Sequence, residues 1–462
     1  MLAAVCMMLA PAAAHAHGAL KSSTPMKGAV LAVVPKEIRL VFNERVELAF
    51  TRVELSGPSG RVAMEPVSFA GADRRTVVAP VASGLVAGPY TVNWQIAGAD
   101  GHPVRGTFAF SIAEGASGLA VAPAAPADQS APTVHHDPET FPDAGGFNAE
   151  SPLYVVIRWL QFAAMLVLIG AIAFYHFVLG SLKKKQPPDL PMLRSATRRA
   201  ARVGLYSAAA LGVVAIARLL AQSYAMHAPG SGFAPAMMWS MIGLTTWGWG
   251  WLLQAFGVIG AFTGFAVARS DRAKGWTIAT ASAVALAFSP ALSGHAASSP
   301  SLRPLAIFAD GLHIIGAAGW LGSLLILLVV GIPAAMKLEE SQRGRAVADL
   351  VNAFSPTALA FAGVTLAAGV FAAFIHVGSI PALWQTQYGQ RLLFKLGALG
   401  IVTATGFYNF RYVRPRLGKV EGVKHIKRSA MLEVGVAVVV LLITAVLVAT
   451  PTPMDMAAVS GN

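Results

Sequence analysis

"LYVVIRWLQFAAMLVLIGAIAFYHFVLG" (residues 153–180) is an apolar run in which Arg158 is the one residue carrying a full charge at neutral pH. A helix of about 20 apolar residues crosses the ~30 Å core of a bilayer. The run therefore predicts a membrane-spanning helix, not a helix of a soluble core. Downstream the same pattern recurs at 203–226, 247–268, 276–293, 305–332, 354–377, 392–410 and 430–450. Overall composition agrees: 55% of the 462 residues are hydrophobic and 12% are charged, too apolar for a soluble chain of this length. Residues 151–450 are expected to form an all-α bundle of eight spans.

The loops between these runs alternate in charge. Loop 181–202 carries Lys183, Lys184, Lys185, Arg194, Arg198, Arg199 and Arg202. The loop after the seventh run carries Arg411, Arg414, Arg416, Lys419, Lys424, Lys427 and Arg428. Loops 269–275 and 333–353 are also basic, whereas 227–246, 294–304 and 378–390 contain only Arg303. The positive-inside rule places the basic loops in the cytoplasm and the others outside. The formal net charge of +13 thus reads as membrane topology, with a lipid bilayer as partner and no nucleic acid.

Upstream of residue 151 the chain changes character. Residues 1–16, "MLAAVCMMLAPAAAHA", end in Ala14-His15-Ala16, which fits an A-x-A cleavage site and predicts a signal peptide. Cys6 is the only cysteine, so cleavage leaves a chain without thiolates or disulfides. Residues 17–113 hold short β-rich runs: "EIRLVF", "TRVELSG", "RVAMEPVSF", "RTVVAPV", "YTVNWQIAG" and "GTFAFSI". Turn residues separate them, and the spacing predicts an all-β sandwich of about seven strands. Residues 114–150, rich in Ala, Pro, Asp and Gly, read as a flexible extracytoplasmic linker. Residues 451–462 form a tail on the same outer side. The signal peptide and the loop charges agree on orientation: β-domain and C-terminus in the periplasm, bundle in the inner membrane.

Cleavage after Ala16 makes His17 the new N-terminus. Its α-amine and imidazole together offer two nitrogen donors and favour the tetragonal geometry of Cu(II). Near the domain's end, "GADGHPVRGTFAFSI" places Asp100 and His102 two apart, on one side of an extended segment. One carboxylate and one imidazole would complete a nitrogen-rich copper site.

Ionisable groups inside a bilayer are costly, and each is a functional candidate. Arg158, Arg218, Asp310, His313, His376 and Lys395 all fall in the outer half under this topology, with His227 and His295 at outer span ends. Asp310 and His313 are three apart on a predicted helix and share a face, and a short loop keeps His295 near. Two imidazoles and a carboxylate suit a transition metal. A proton relay, a packing cluster, or pairing of Asp310 with Arg158 or Arg218 fits the same residues. The outer loop "AMHAPGSGFAPAMMWSM" adds His227, Met237 and Met238, whose thioethers suit Cu(I) but also serve as apolar filler.

The stretches "HGALKSSTPMKGAVLAVVPKEIRLVFNERVE" and "YTVNWQIAGADGHPVRGTFAFSI" resemble the periplasmic copper-binding CopC family over residues 17–113. The resemblance implies a small Greek-key β-sandwich of the cupredoxin or immunoglobulin type, with Cu(II) held by His17, Asp100 and His102. It places Glu44 of "FNERVE" beside the metal rather than on it. The β-domain has only Met26 and Met64 after cleavage, so no separate Cu(I) site is expected there. Residues 151–450 resemble the CopD family in "SGHA", in "D-x-x-H…A-x-W-x-G" and in "YG…L…K", here Tyr388, Gly389, Leu393 and Lys395. The two resemblances together imply a CopC–CopD fusion that handles copper at the inner membrane.

The expectation is a copper-binding protein and not an enzyme. The β-domain takes Cu(II), the linker raises its local concentration near the bundle, and His295, Asp310 and His313 receive it, with Cu(I) a candidate state in the membrane. Periplasmic copper chaperones or a reductant are the expected protein partners. Two other classes stay open: a haem-binding membrane cytochrome using paired histidines, and a copper-dependent redox protein using the N-terminal histidine.

Overall fold

The computed structural model describes residues 20–118 (except 73, 83, 99, 100 and 102), 147–185, 190–227, 233–298, 302–413, 420–450 and 452–453. The predicted signal peptide, His17, Asp100, His102 and most of the linker lie outside the described residues. The described chain forms two compact units: residues 150–221 with 247–454, and the β-domain together with 222–246.

In the β-domain the strands are β1 (Leu20–Thr24), β2 (Val30–Val33), β3 (Glu37–Phe42), β4 (Arg52–Gly57), β5 (Gly60–Val62), β6 (Ser68–Phe69), β7 (Thr76–Pro80), β8 (Gly88–Ala97) and β9 (Pro103–Ser117). They make two sheets, β1-β3-β7-β6 and β2-β9-β8-β4-β5. That is the expected two-sheet sandwich, with nine described strands where about seven were read from the sequence. "RVAMEPVSF" divides into β5 and β6. The short strands β1 and β2 carry no clear alternation; β2 is an edge strand whose Val30 and Val33 are exposed.

Alternation builds the core. Ile38, Leu40 and Phe42 of β3 and Val92, Trp94 and Ile96 of β8 are all buried, because every second residue of a strand faces the same way. Phe42 and Trp94 meet across the sheets edge to face, 5.3 Å between ring centroids. Trp94 pairs with Gly106 in the β8–β9 register. A Cβ at residue 106 would lie 2.3 Å from Trp94 Cζ2, so the indole occupies the space a side chain there would need. β9 runs on to Ser117, beyond the last β-rich run of the sequence.

Among the described residues, eight helices are long and apolar enough to cross a membrane: Pro152–Lys183, Pro191–Met226, Thr246–Ala268, Ala273–Leu292, Arg303–Ala335, Glu340–Val377, Gln387–Tyr412 and Lys427–Leu447. Each matches one apolar run, extended at one or both ends in most cases. The first and fifth spans cross at Gly170 and Gly322. A Cβ on Gly170 would sit 2.3 Å from the Gly322 carbonyl carbon, and one on Gly322 would sit 2.1 Å from the Leu166 carbonyl oxygen. Backbones approach this closely in membranes where small residues line the crossing. Both spans widen into π-helix, at Phe174–Leu179 and Ala318–Gly322. The sixth span turns Leu359, Leu366, Val370 and Phe374 outward, an apolar surface suited to lipid.

Candidate metal centres

The first centre is the turn between β8 and β9, where the sequence reads Gly98-Ala99-Asp100-Gly101-His102. Asp100 and His102 lie outside the described residues, but their frame is described. Gly101 N–H donates to the Gly98 carbonyl at 3.0 Å, and Gly101 has φ +74°, in the left-handed region that suits glycine. Glu44 is close: a Cβ on Gly98 would lie 2.9 Å from Glu44 Oε2. The "FNERVE" carboxylate therefore reaches the strand end that leads into the D-x-H motif. The bridge from Val46 to Gly98 brings it there.

Residues 222–246 belong to the same compact unit. Gln222 Nε2 donates to the Gly101 carbonyl at 2.7 Å, and Gln95 Nε2 donates to the Met226 carbonyl at 3.0 Å. The Thr246 hydroxyl and N–H donate to Glu47 Oε1 at 2.8 and 3.1 Å. Sequence reasoning missed Gln95 and Gln222, because neutral amides carry no signal of long-range pairing. Of the sulfur candidates, Met237 lies on the exposed side of the Pro235–Leu244 helix, Met238 is half-buried, and Met226 and Met241 are buried.

The second centre lies in the helical unit. The His295 and His376 rings are 6.2 Å apart between centroids, at 64°. The Asp310 carboxylate is within electrostatic reach of both His295 and Lys395. His313 Nδ1 lies 2.9 Å from the Thr365 carbonyl oxygen. A carbonyl only accepts, so Nδ1 carries the proton and Nε2 keeps its lone pair. That is how metal-binding imidazoles are commonly oriented. The ring lies against Gly369, where a Cβ would come within 3.0 Å of His313 Cε1. Among the described residues, no three His, Cys, Asp or Glu side chains converge as one metal-binding group.

Among the described residues, Arg218 makes no ion pair with an Asp. Its guanidinium donates to Gln254 Oε1 at 3.1 Å and Ser293 Oγ at 2.7 Å and stacks on Trp247 at 5.0 Å. Lys395 is the cation facing Asp310. Arg158 donates to the Ala445 carbonyl at 3.3 Å and lies over the Tyr154 ring. Two motif glycines have packing roles: Gly322 of "A-x-W-x-G" makes the Gly170 crossing, and a Cβ on Gly389 of "YG" would sit 2.2 Å from the Ala382 carbonyl oxygen. Glu433 was not singled out in the sequence. It is buried and accepts a hydrogen bond from the Asn409 amide, joining the seventh and eighth helices.

Three family models match the chain: the CopC domain over residues 20–113, the copper resistance protein D-like N-terminal domain over 149–303, and copper resistance protein D over 348–447. Copper transport protein CutJ of Bacillus subtilis (strain 168) is 26% identical over 97% of this chain and 77% of its own length. Copper resistance protein C of Pseudomonas syringae pv. tomato is 34% identical, over 23% of this chain and 87% of its own length. Copper resistance protein D of the same organism is 27% identical, over 63% of this chain and 94% of its own length.

Proposed function

As a chain that belongs to the family joining a CopC domain to a copper resistance protein D membrane region, this protein, we propose, captures Cu(II) in the periplasm and passes it into its helical bundle for copper import and homeostasis. The observation that carries this reading is the order of matched regions: the CopC-domain model covers the sandwich, and the two copper resistance protein D models cover most of the spans.

The capture ligands are His17, Asp100 and His102. Glu44, which reaches Gly98, sits beside the metal and orients the turn. The chain acts as a carrier and not an enzyme; copper is its cargo. Membrane entry is assigned to His295, Asp310 and His313, with His376 beside His295; these side chains do not converge on one point in the described structure and would have to gather on the ion. Lys395 faces Asp310 before copper arrives, so an incoming cation displaces an existing charge interaction rather than meeting a bare buried carboxylate. Positive-inside charge supports an inner-membrane orientation with sandwich and C-terminus outside.

Cellular copper measured with and without the gene, under copper limitation, tests the direction. Lower copper in the deletion supports import. Higher copper in the deletion overturns it in favour of export or sequestration.

A further inference from the structure

Segment Gln222–His227 is built into the sandwich unit by buried amides. Gln222 donates to the Gly101 carbonyl and Gln95 donates to the Met226 carbonyl, at 2.7 and 3.0 Å. Arg105 Nε donates to Gln95 Oε1 at 2.9 Å and holds that amide in its orientation. Buried networks of this kind fix position, because an unmade bond leaves a desolvated polar group. Gly101, the middle residue of the D-x-H motif, and the segment ending in His227 are therefore held together.

His227 is 3% exposed. Its Nδ1 lies 2.8 Å from the Ser223 carbonyl oxygen, so Nδ1 is the protonated nitrogen. Nε2 is left as a bare acceptor, buried and without a hydrogen-bond partner among the described residues. Burial holds the imidazole below the ordinary histidine range; the Ser223 carbonyl opposes this, and the nearby Arg52 charge adds to it. The ring is thus neutral at pH 7 with its lone pair available. A buried acceptor with no donor calls for an explanation. A protonated Nδ1 on a backbone carbonyl with a bare Nε2 is the arrangement a metal-binding imidazole needs.

We propose that His227 Nε2 is the relay ligand that takes copper from the sandwich, its segment tied to Gly101 by the Gln222–Gly101 hydrogen bond. This rests on the reading of His17, Asp100 and His102 as the capture site. The step is a ligand exchange: a bond from copper to Nε2 forms as one sandwich ligand leaves. Copper keeps its oxidation state, and His227 gives up no proton because Nε2 carries none.

The test uses the full chain in detergent with Cu(II) as the probe, followed by electron paramagnetic resonance, and cells expressing equal amounts of each variant. His227→Asn keeps a donor for the Ser223 carbonyl and removes Nε2. With one equivalent of Cu(II), parent and variant show the same sandwich spectrum. With two equivalents, and with His295→Ala and His313→Ala in both chains so that the proposed membrane site does not contribute, the chain with His227 shows a second species with imidazole nitrogen coupling that the His227→Asn chain lacks. Cellular copper uptake falls about tenfold in the variant, the scale of a perturbed metal shell. Gln222→Ala lowers uptake while leaving the one-equivalent spectrum intact. Coincident two-equivalent spectra, or parental uptake by His227→Asn, overturn the relay while leaving capture standing. A parent that binds no Cu(II) at one equivalent, or one whose spectrum survives an extra residue before His17, overturns the capture reading and the relay with it.

Discussion

The two candidate copper centres are assembled in opposite ways. The sandwich centre, as proposed, would draw two ligands from residues 100–102 and a third from the N-terminus that cleavage after Ala16 would create. The membrane centre draws His295 from the segment after the fourth span, Asp310 and His313 from the fifth, His376 from the sixth and Lys395 from the seventh. A centre written locally survives small shifts of the fold, because two residues on one extended segment keep their spacing. A centre assembled from several helices depends on how those helices pack. The sandwich should therefore bind copper as an isolated property, and the membrane centre should fail whenever the bundle is disturbed.

The largest expected effect is on the local centre. One extra residue before His17 removes the α-amine from the chelate. Cu(II) affinity should fall by more than about 100-fold, beyond the ~10–100-fold typical of losing an outer partner. Calorimetric titration of the domain checks this, and unchanged affinity would break the local half of the comparison.

Next comes the packing of the assembled centre. Gly322→Leu puts a side chain where the Leu166 and Gly170 backbones already sit. Overpacking of this kind costs ~1–3 kcal/mol or more, here against backbone that cannot rotate away. Copper uptake and folded yield in the membrane should both drop sharply, although residue 322 is no ligand. Normal uptake by this variant would mean that the membrane centre tolerates a disturbed bundle.

His313→Ala separates ligand from scaffold. Copper uptake should be lost while membrane insertion and the sandwich Cu(II) spectrum stay parental. His425→Ala, in the basic loop after the seventh run, should change uptake little. Parental uptake in His295→Ala, Asp310→Ala and His313→Ala together would make the cluster structural.

The smallest effect sharpens the point that burial, not sequence separation, gives an assembled pair its weight. Arg198 Nε donates to Asp271 at 2.8 Å across 73 positions of chain, and both side chains are exposed. The guanidinium holds the Asp271 carboxyl below the usual carboxylate range. Its contribution is present above the unfolded value of about 4 and is lost as pH falls through the lower folded value. Solvent screens so exposed a pair, so Asp271→Asn should shift thermal unfolding at pH 7 by about a degree or two at most.

The same contrast explains what the sequence showed. The eight spans were legible because a bilayer demands long apolar runs, and strands β3, β4 and the middle of β9 because one buried face imposes alternation; β7 and β8 are buried on successive residues and read as continuous β-rich runs. The D-x-H candidate could be proposed from sequence because its residues are neighbours, and its described frame is the Gly98–Gly101 hydrogen bond. Lys395 as the counter-charge of Asp310, His376 as the neighbour of His295, and Thr365 as the orienting carbonyl of His313 were not. Each depends on which helix faces which, and a backbone carbonyl leaves no trace in residue type. Gln222 was hidden for the same reason: its partner is the carbonyl of a glycine 121 positions away.

The contact of Gly170 with Gly322 and Leu166 also bears on mechanics. With no side chain between them, the first and fifth spans have no layer that can slip or change rotamer. They form a keel, and any motion that admits and releases an ion has to be taken up elsewhere. The π-helical turn Ala318–Gly322 lies on that keel, just after Asp310 and His313. Asp310 and His313, the proposed first membrane ligands, thus sit on the stationary part of the bundle, and the sixth span is seated on it too: a Cβ on Gly316 would lie 2.8 Å from Thr365 N, and His313 Nδ1 lies 2.9 Å from the Thr365 carbonyl oxygen.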